Sequence, residues 1–200
     1  MKGLDKLTSM RLAEVLTQKG VVAAEVITDA LYIQDKEGEP FVDILVEAGH
    51  IAEWDLARVV VENFQLPFIL AGNYDISQET RARIEDIDFF QHMLVPMGLF
   101  GDILTVSMPV LVTADVLMGL QKKYDVEIFP YVGLISENKK VLSDEFADFK
   151  AWQKSAAEER ERRAAAAKRA ANAPGAGEWA DLFDEADQAV QSSIGRRPRR

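Results

Sequence analysis

The chain has 200 residues, 48% hydrophobic and 28% charged, the proportions of a soluble globular protein with room for one sizeable core or two small ones. It has no cysteine, which excludes a disulfide framework, a thiolate nucleophile and a cysteine-based zinc site. The net charge of −10 is uneven: residues 147–200 carry +2 and residues 1–146 carry −12, so the body repels nucleic acid and anionic membrane surfaces.

No apolar run approaches the roughly 18–20 residues that span a bilayer. Met1-Lys2-Gly3-Leu4-Asp5-Lys6 has no apolar signal region. A cytoplasmic protein without membrane insertion or DNA binding is therefore expected.

The first organised segment is an internal repeat. Arg11-Leu12-Ala13-Glu14-Val15-Leu16, followed by Gly20-Val21-Val22, is matched by Pro40-Phe41-Val42-Asp43-Ile44-Leu45, followed by Gly49-His50-Ile51, at an offset of 29 residues. The second halves keep step, Ile27 with Leu56, Ala30 with Val59, Leu31 with Val60 and Gln34 with Asn63. Each copy sets apolar residues at helical spacing, halts at a glycine and resumes the same spacing. The glycine reads as a helix C-cap in the left-handed region, where a Cβ would be penalised. Each copy is a helix–turn–helix hairpin, and two packed together predict a four-helix subdomain over 7–65.

Leu66-Pro67-Phe68 breaks the pattern, because proline ends the preceding helix. Ser77 is an N-cap candidate for a helix over 78–86. Two apolar runs, 93–100 and 103–108, joined by Gly101-Asp102, predict a β-hairpin. Thr113 can cap a helix through Lys123, and 126–132 predicts another strand. Residues 66–142 are therefore expected to form a small α+β subdomain with an antiparallel sheet. Pro96 and Pro130 mark its edges or strand ends.

Residues 143–172 predict a charged, solvent-exposed helix, with Glu158/Arg162 and Glu159/Arg163 in the favourable i,i+4 order. Asn172–Gly177 is a linker, and 173–200 carries an amphipathic segment. There Trp179, Leu182, Phe183, Ala186 and Val190 share one helical face, opposite Asp181, Asp184, Glu185 and Asp187. Trp and Phe at such spacing are anchors for a partner's groove, the alternative being that the segment folds back on the body's own apolar surface. The closing Arg196-Arg197-Pro198-Arg199-Arg200 helps hold an acidic partner, RNA or membrane, or keeps the tail soluble.

The unit Arg11–Gln34 resembles the pattern R-L-G-x-x-L-x-x-x-G-(apolar)₂-x₄-L-x-x-A-L-x-x-Q of the N-terminal domain of type II secretion and type IV pilus assembly ATPases. In that family two units follow one another across a five-residue gap, the length of Asp35–Glu39 here. Leu66-Pro67-Phe68 and the segment to about residue 142 are also similar to that domain. Some family members bind cyclic di-GMP through the paired units. The resemblance then implies nucleotide-binding positions at Arg11, Leu12, Gly20, Leu31 and Gln34, with Gly49 and Asn63 from the second unit. Departures are Ala13 and Val42 where the pattern has glycine, Pro40 for arginine and Asn63 for glutamine. Pro40 removes a cation worth about 1–3 kcal/mol to a stacked guanine and phosphate. The family's G-x-x-x-x-G-K-[ST] phosphate loop is absent, so no ATP hydrolysis is expected of this chain.

The remaining reactive side chains point nowhere else. His50 and His92 lack metal-ligand spacing. Asp86 and Asp88 read as a solvated helix end, since i,i+2 side chains diverge, and Gly98 to Gly101 reads as turn chemistry. Arg11 stands near a helix N-terminus, where its charge opposes the macrodipole slightly. The sequence thus predicts a non-enzymatic adaptor that needs no cofactor or metal and binds protein components of a pilus, motility or secretion machine. A cyclic di-GMP receptor that switches partner binding is the alternative, and a structural subunit that folds only with its partner is a third reading.

Overall fold

The computed structural model describes residues 7–171. The repeat forms four helices, α1 (Ser9–Lys19), α2 (Ala24–Glu37), α3 (Phe41–Glu47) and α4 (Glu53–Phe64). Thr8 caps α1 by accepting the Arg11 N–H on its hydroxyl at 3.1 Å. Gly20 ends α1 at φ 64°, and Gly49 follows α3 at φ 72°, the left-handed turn that both copies require. The two copies bury the same positions: Leu12 with Phe41, Ala13 with Val42, Leu16 with Leu45, Ile27 with Leu56, and Ala30 with Val59. Each fully buried large apolar side chain contributes about 1.5–3 kcal/mol of transfer free energy, which neither hairpin gains alone.

After a 3-10 turn at Ala71–Asn73, Ser77 caps α5 (Gln78–Arg83), accepting the Thr80 N–H at 3.1 Å. The predicted helix over 78–86 stops short, because Ile84 turns extended and buries its side chain. A separate helix, α6 (Asp86–Phe90), follows. β1 (Val95–Phe100) and β2 (Ile103–Pro109) form the predicted hairpin, with Phe100 opposite Ile103 and Gly101-Asp102 as its loop. Next come α7 (Ala114–Tyr124), preceded by Thr113, and β3 (Glu127–Gly133).

The α+β class is as expected, but the sheet is mixed, in the order β1-β2-β3. The expected antiparallel arrangement holds for β1 and β2. It is corrected for β3, which runs parallel to β2 from Ile103↔Glu127 to Pro109↔Gly133. The cause is α7: a helix between two strands carries the chain back to the starting end, so the second strand enters in the same direction. Pro96 and Pro130 lie on the two outer strands, where a missing N–H costs least.

One core runs through the repeat helices and the sheet, joining Leu12, Leu16, Leu45 and Leu56 to Leu104, Met108, Leu117 and Ile128. The opposite sheet face packs on α8 (Ile135–Glu145) and the first turn of α9 (Phe149–Ala171). There Phe90 meets Phe146 and Phe149 edge-on at 5.7 and 5.1 Å. The single charged helix expected over 143–172 is corrected to two elements. The backbone is extended at Phe146, and Phe149 is fully buried, so the start of α9 belongs to the body. The body ends at Trp152, and the described residues from Gln153 to Ala171, the rest of α9, are rich in Glu, Arg and Ala and belong to a second unit.

A buried polar network fixes α8 on the sheet. The Asn138 amide donates to the carbonyls of Met93 and Ser107 and accepts the Ser107 hydroxyl at 2.8 Å. A Cβ at Gly133 would lie 2.1 Å from the Ser107 hydroxyl oxygen and 3.0 Å from the Met108 carbonyl oxygen, so this position admits only glycine.

Candidate functional site: the tandem helical repeats

The residues expected at a nucleotide site occupy different environments. Arg11 is exposed on α1 and donates to the Glu14 carboxylate at 2.8 Å. Gln34, on the last turn of α2, donates to the Ser9 hydroxyl at 3.0 Å and closes the first hairpin. Gly20 and Gly49 have open space where a Cβ would stand. Leu31 is half-buried against the core and Leu12 is wholly inside it. Asn63 donates to the Val59 carbonyl at 2.7 Å on its own helix. Ser9 and Gln34 are thus brought together by the α1–α2 contact, Arg11 pairs with Glu14 along its own helix, and Leu12 commits its apolar surface to packing.

Ala13 and Val42, at the positions where the resembled pattern has glycine, are both buried. Their side chains contribute to the core, and Val42 does so on α3 just after Pro40, which takes the place of a second arginine. The electrostatics of the repeats run against an anionic ligand. Residues 7–65 carry eleven carboxylates and four cations. All four cations are matched to carboxylates: Arg11 with Glu14 at 2.8 Å, Lys19 with Glu62 at 3.2 Å, Lys36 with Asp35 at 3.9 Å, and Arg58 with Asp55 at 2.8 Å. Exposed pairs of this kind stabilise little, but each lowers the positive potential a phosphate would meet.

The second repeat carries an apolar feature the first does not. Trp54 stands where the first copy has Glu25, and its ring lies 5.5 Å from that of Phe68. Both rings are exposed, and beside them Glu53 accepts the backbone N–H and hydroxyl of Ser136.

The other titratable cluster joins α6 and α7. The reading of Asp88 as part of a solvated helix end is corrected, because its carboxylate accepts from Lys123 Nζ at 2.5 Å and from the Tyr124 hydroxyl. Burial alone pushes the Asp88 carboxyl up. Hydrogen bonds from Lys123 and Tyr124 and the charges of Lys123 and His92 outweigh it and hold the group below its ordinary value. Burial pushes His92 down, partly offset by Asp88. Lys123 also reaches Glu85 at 2.8 Å, and the Glu85 N–H donates to the Tyr124 hydroxyl at 3.0 Å. The cluster is a clasp; no sequence spacing announced it, since its members are distant in the chain. Among the described residues no group of three or more His, Asp or Glu side chains is placed to hold a metal ion. Trp179, Leu182, Phe183, Ala186 and Val190 lie outside the described residues.

Two solved structures share this fold. The chain is 18% identical to MshE in the structure of MshE with cdg, with a TM-score of 0.54, covering 68% of this chain and 99% of that one. It is 19% identical to the N-terminal domain of XpsE, with a TM-score of 0.53, covering 67% of this chain and 92% of that one. No protein-family model matches the sequence, and no curated protein matches it. Among the described residues no helix is long and apolar enough to cross a membrane.

Proposed function

We propose that this chain is a non-catalytic adaptor that acts by binding protein, its body standing where a secretion or pilus motor has its N-terminal domain. The fold shared with the XpsE N-terminal domain supports the setting. The observation that carries the binding mode is the pairing of all four repeat cations with carboxylates on a strongly acidic surface. Such a surface suits a protein partner better than a dianionic nucleotide. The body meets one machine component. The 179–190 segment, with Trp179, Leu182, Phe183, Ala186 and Val190, docks a second protein and raises its local concentration. The setting is the cytoplasm of a bacterium, and no cofactor is required.

The test is affinity capture with the tagged full chain from cells that build a type II secretion or type IV pilus machine, with and without residues 178–200. The expected result is retention of machine components by both forms and loss of a further protein when the segment is removed. Capture of none of these components by either form contradicts the reading. The second reading, a cyclic di-GMP receptor, is favoured by the fold shared with MshE, whose structure holds cdg, and by the retained Arg11, Gly20, Leu31 and Gln34.

A further inference from the structure

The described residues of the body leave one half of a sheet face uncovered. By strand alternation and register, Phe100, Ile103, Thr105, Phe129 and Tyr131 point to the same side as Ser107. α8 covers that side at the Ser107 end, through Asn138, and Val95 packs into the cluster there. At the hairpin end Phe100 is 68% exposed and Ile103 38% exposed, with Phe129 and Tyr131 half-buried and their rings 5.4 Å apart. Gly98 lies under the Phe100 ring: a Cβ there would stand 3.2 Å from it.

Acidic groups gather at this end. Asp102 forms the hairpin loop, and Glu127, opposite Ile103 in the β2–β3 register, lies on the same side of the sheet as Phe129. Toward α7, whose Leu117 and Leu120 pack on the other face, Asp102, Asp125 and Glu127 also line a concavity in which Lys122 is the one cation. The outer edge of β1 is a poor template for an added strand, because Pro96 and the irregularity between Pro96 and Gly98 interrupt its ladder. The usable surface is therefore the face and not the edge. A second copy of this chain would bring another acidic body against it, with −12 on residues 1–146 of each.

We propose that this face docks a cationic amphipathic segment of a partner protein, its apolar side chains on Phe100, Ile103, Phe129 and Tyr131 and its Lys or Arg side chains toward Asp102 and Glu127. The proposal rests on the protein-binding reading above and assigns it a surface. Aromatic rings provide the apolar anchors, and the carboxylates set the partner's sign of charge and steer its approach.

The test is fluorescence anisotropy of a labelled synthetic Lys/Leu amphipathic peptide titrated with the full chain, with a Glu/Leu peptide as counterpart. The Lys/Leu peptide binds and the Glu/Leu peptide does not. Phe100→Ser and Ile103→Ser each weaken binding about tenfold or more, while Trp54→Ser, an exposed aromatic elsewhere, leaves it unchanged. Both sites are solvent-exposed, and circular dichroism melts confirm that the variants fold. Binding that the Phe100 and Ile103 variants do not weaken overturns the proposal. So does a parent chain that is dimeric while Phe100→Ser is monomeric, which would give the face to a second copy. Either failure removes this surface only; the capture experiment decides the adaptor reading separately.

Discussion

The carboxylate of Glu53, in the first turn of α4, accepts the Ser136 backbone N–H at 2.8 Å and the Ser136 hydroxyl at 2.7 Å. Ser136 is in the first turn of α8, so a side chain of the second repeat caps a helix 83 residues away in sequence. The contact joins the helical repeats to the α+β part and places negative charge at a helix N-terminus. Glu53→Ala is expected to cost about 1–2 kcal/mol, the range of a lost cap, read as a lower denaturant midpoint at constant slope. Ser136→Ala in the Glu53→Ala background should add little, since the two groups act on each other.

Gly133→Ala is a larger lesion. The new methyl group meets the Ser107 hydroxyl, the Asn138 carbonyl oxygen and the Met108 carbonyl at once, and two of these are held in a buried network. A loss of about 2–4 kcal/mol is expected, combining overpacking with a broken buried hydrogen bond. Thermal melts compared with a Gly119→Ala control, where a Cβ meets nothing within 4 Å, check it.

Restoring the resembled pattern at residue 42 should damage this chain. Val42 is 2% exposed, so Val42→Gly leaves a cavity in the core and places glycine inside α3. About 2–4 kcal/mol of stability is expected to be lost, which chemical denaturation measures directly.

The α6–α7 clasp makes stability depend on pH in the acid range. The folded His92 imidazole titrates below its ordinary value of 6.5, so below about that pH the unfolded chain binds more protons and stability falls as pH drops. Asp88 is likewise held below its ordinary 3.8, so its contribution is intact above about that pH and is lost as pH falls through the lower folded value. Stability curves of the parent and His92→Gln should diverge in slope below about pH 6.5, by at most about 1.4 kcal/mol per pH unit. Asp88→Asn should flatten the more acidic limb. Parallel curves for all three proteins would contradict the clasp.

How much of this was legible in the sequence depended on the range of the interactions. The repeat was legible because each copy carries its own periodicity and its own left-handed glycine, Gly20 and Gly49, both local signals. The hairpin was legible from Gly101-Asp102 for the same reason. The direction of β3 was not, because α7 sets it by bringing the chain back to the start of β2. Asp88 looked solvated because nothing near it in sequence shows that Lys123 and Tyr124 close on it. Phe149 and Trp152 were read as part of a polar helix because their partner Phe90 lies far upstream. At the candidate site the residue types were legible, and the Arg11–Glu14 pair is a local i,i+3 contact, but the Gln34–Ser9 hydrogen bond and the burial of Leu12 required the packed helices.

The central claim is that the repeats bind protein and have given up the dinucleotide. Isothermal titration of the full chain with cyclic di-GMP, repeated with Arg11→Ala, tests it most directly. The account predicts no binding heat for either protein at high ligand concentration. Micromolar or tighter binding by the parent that Arg11→Ala abolishes would contradict it and make the chain a second-messenger receptor.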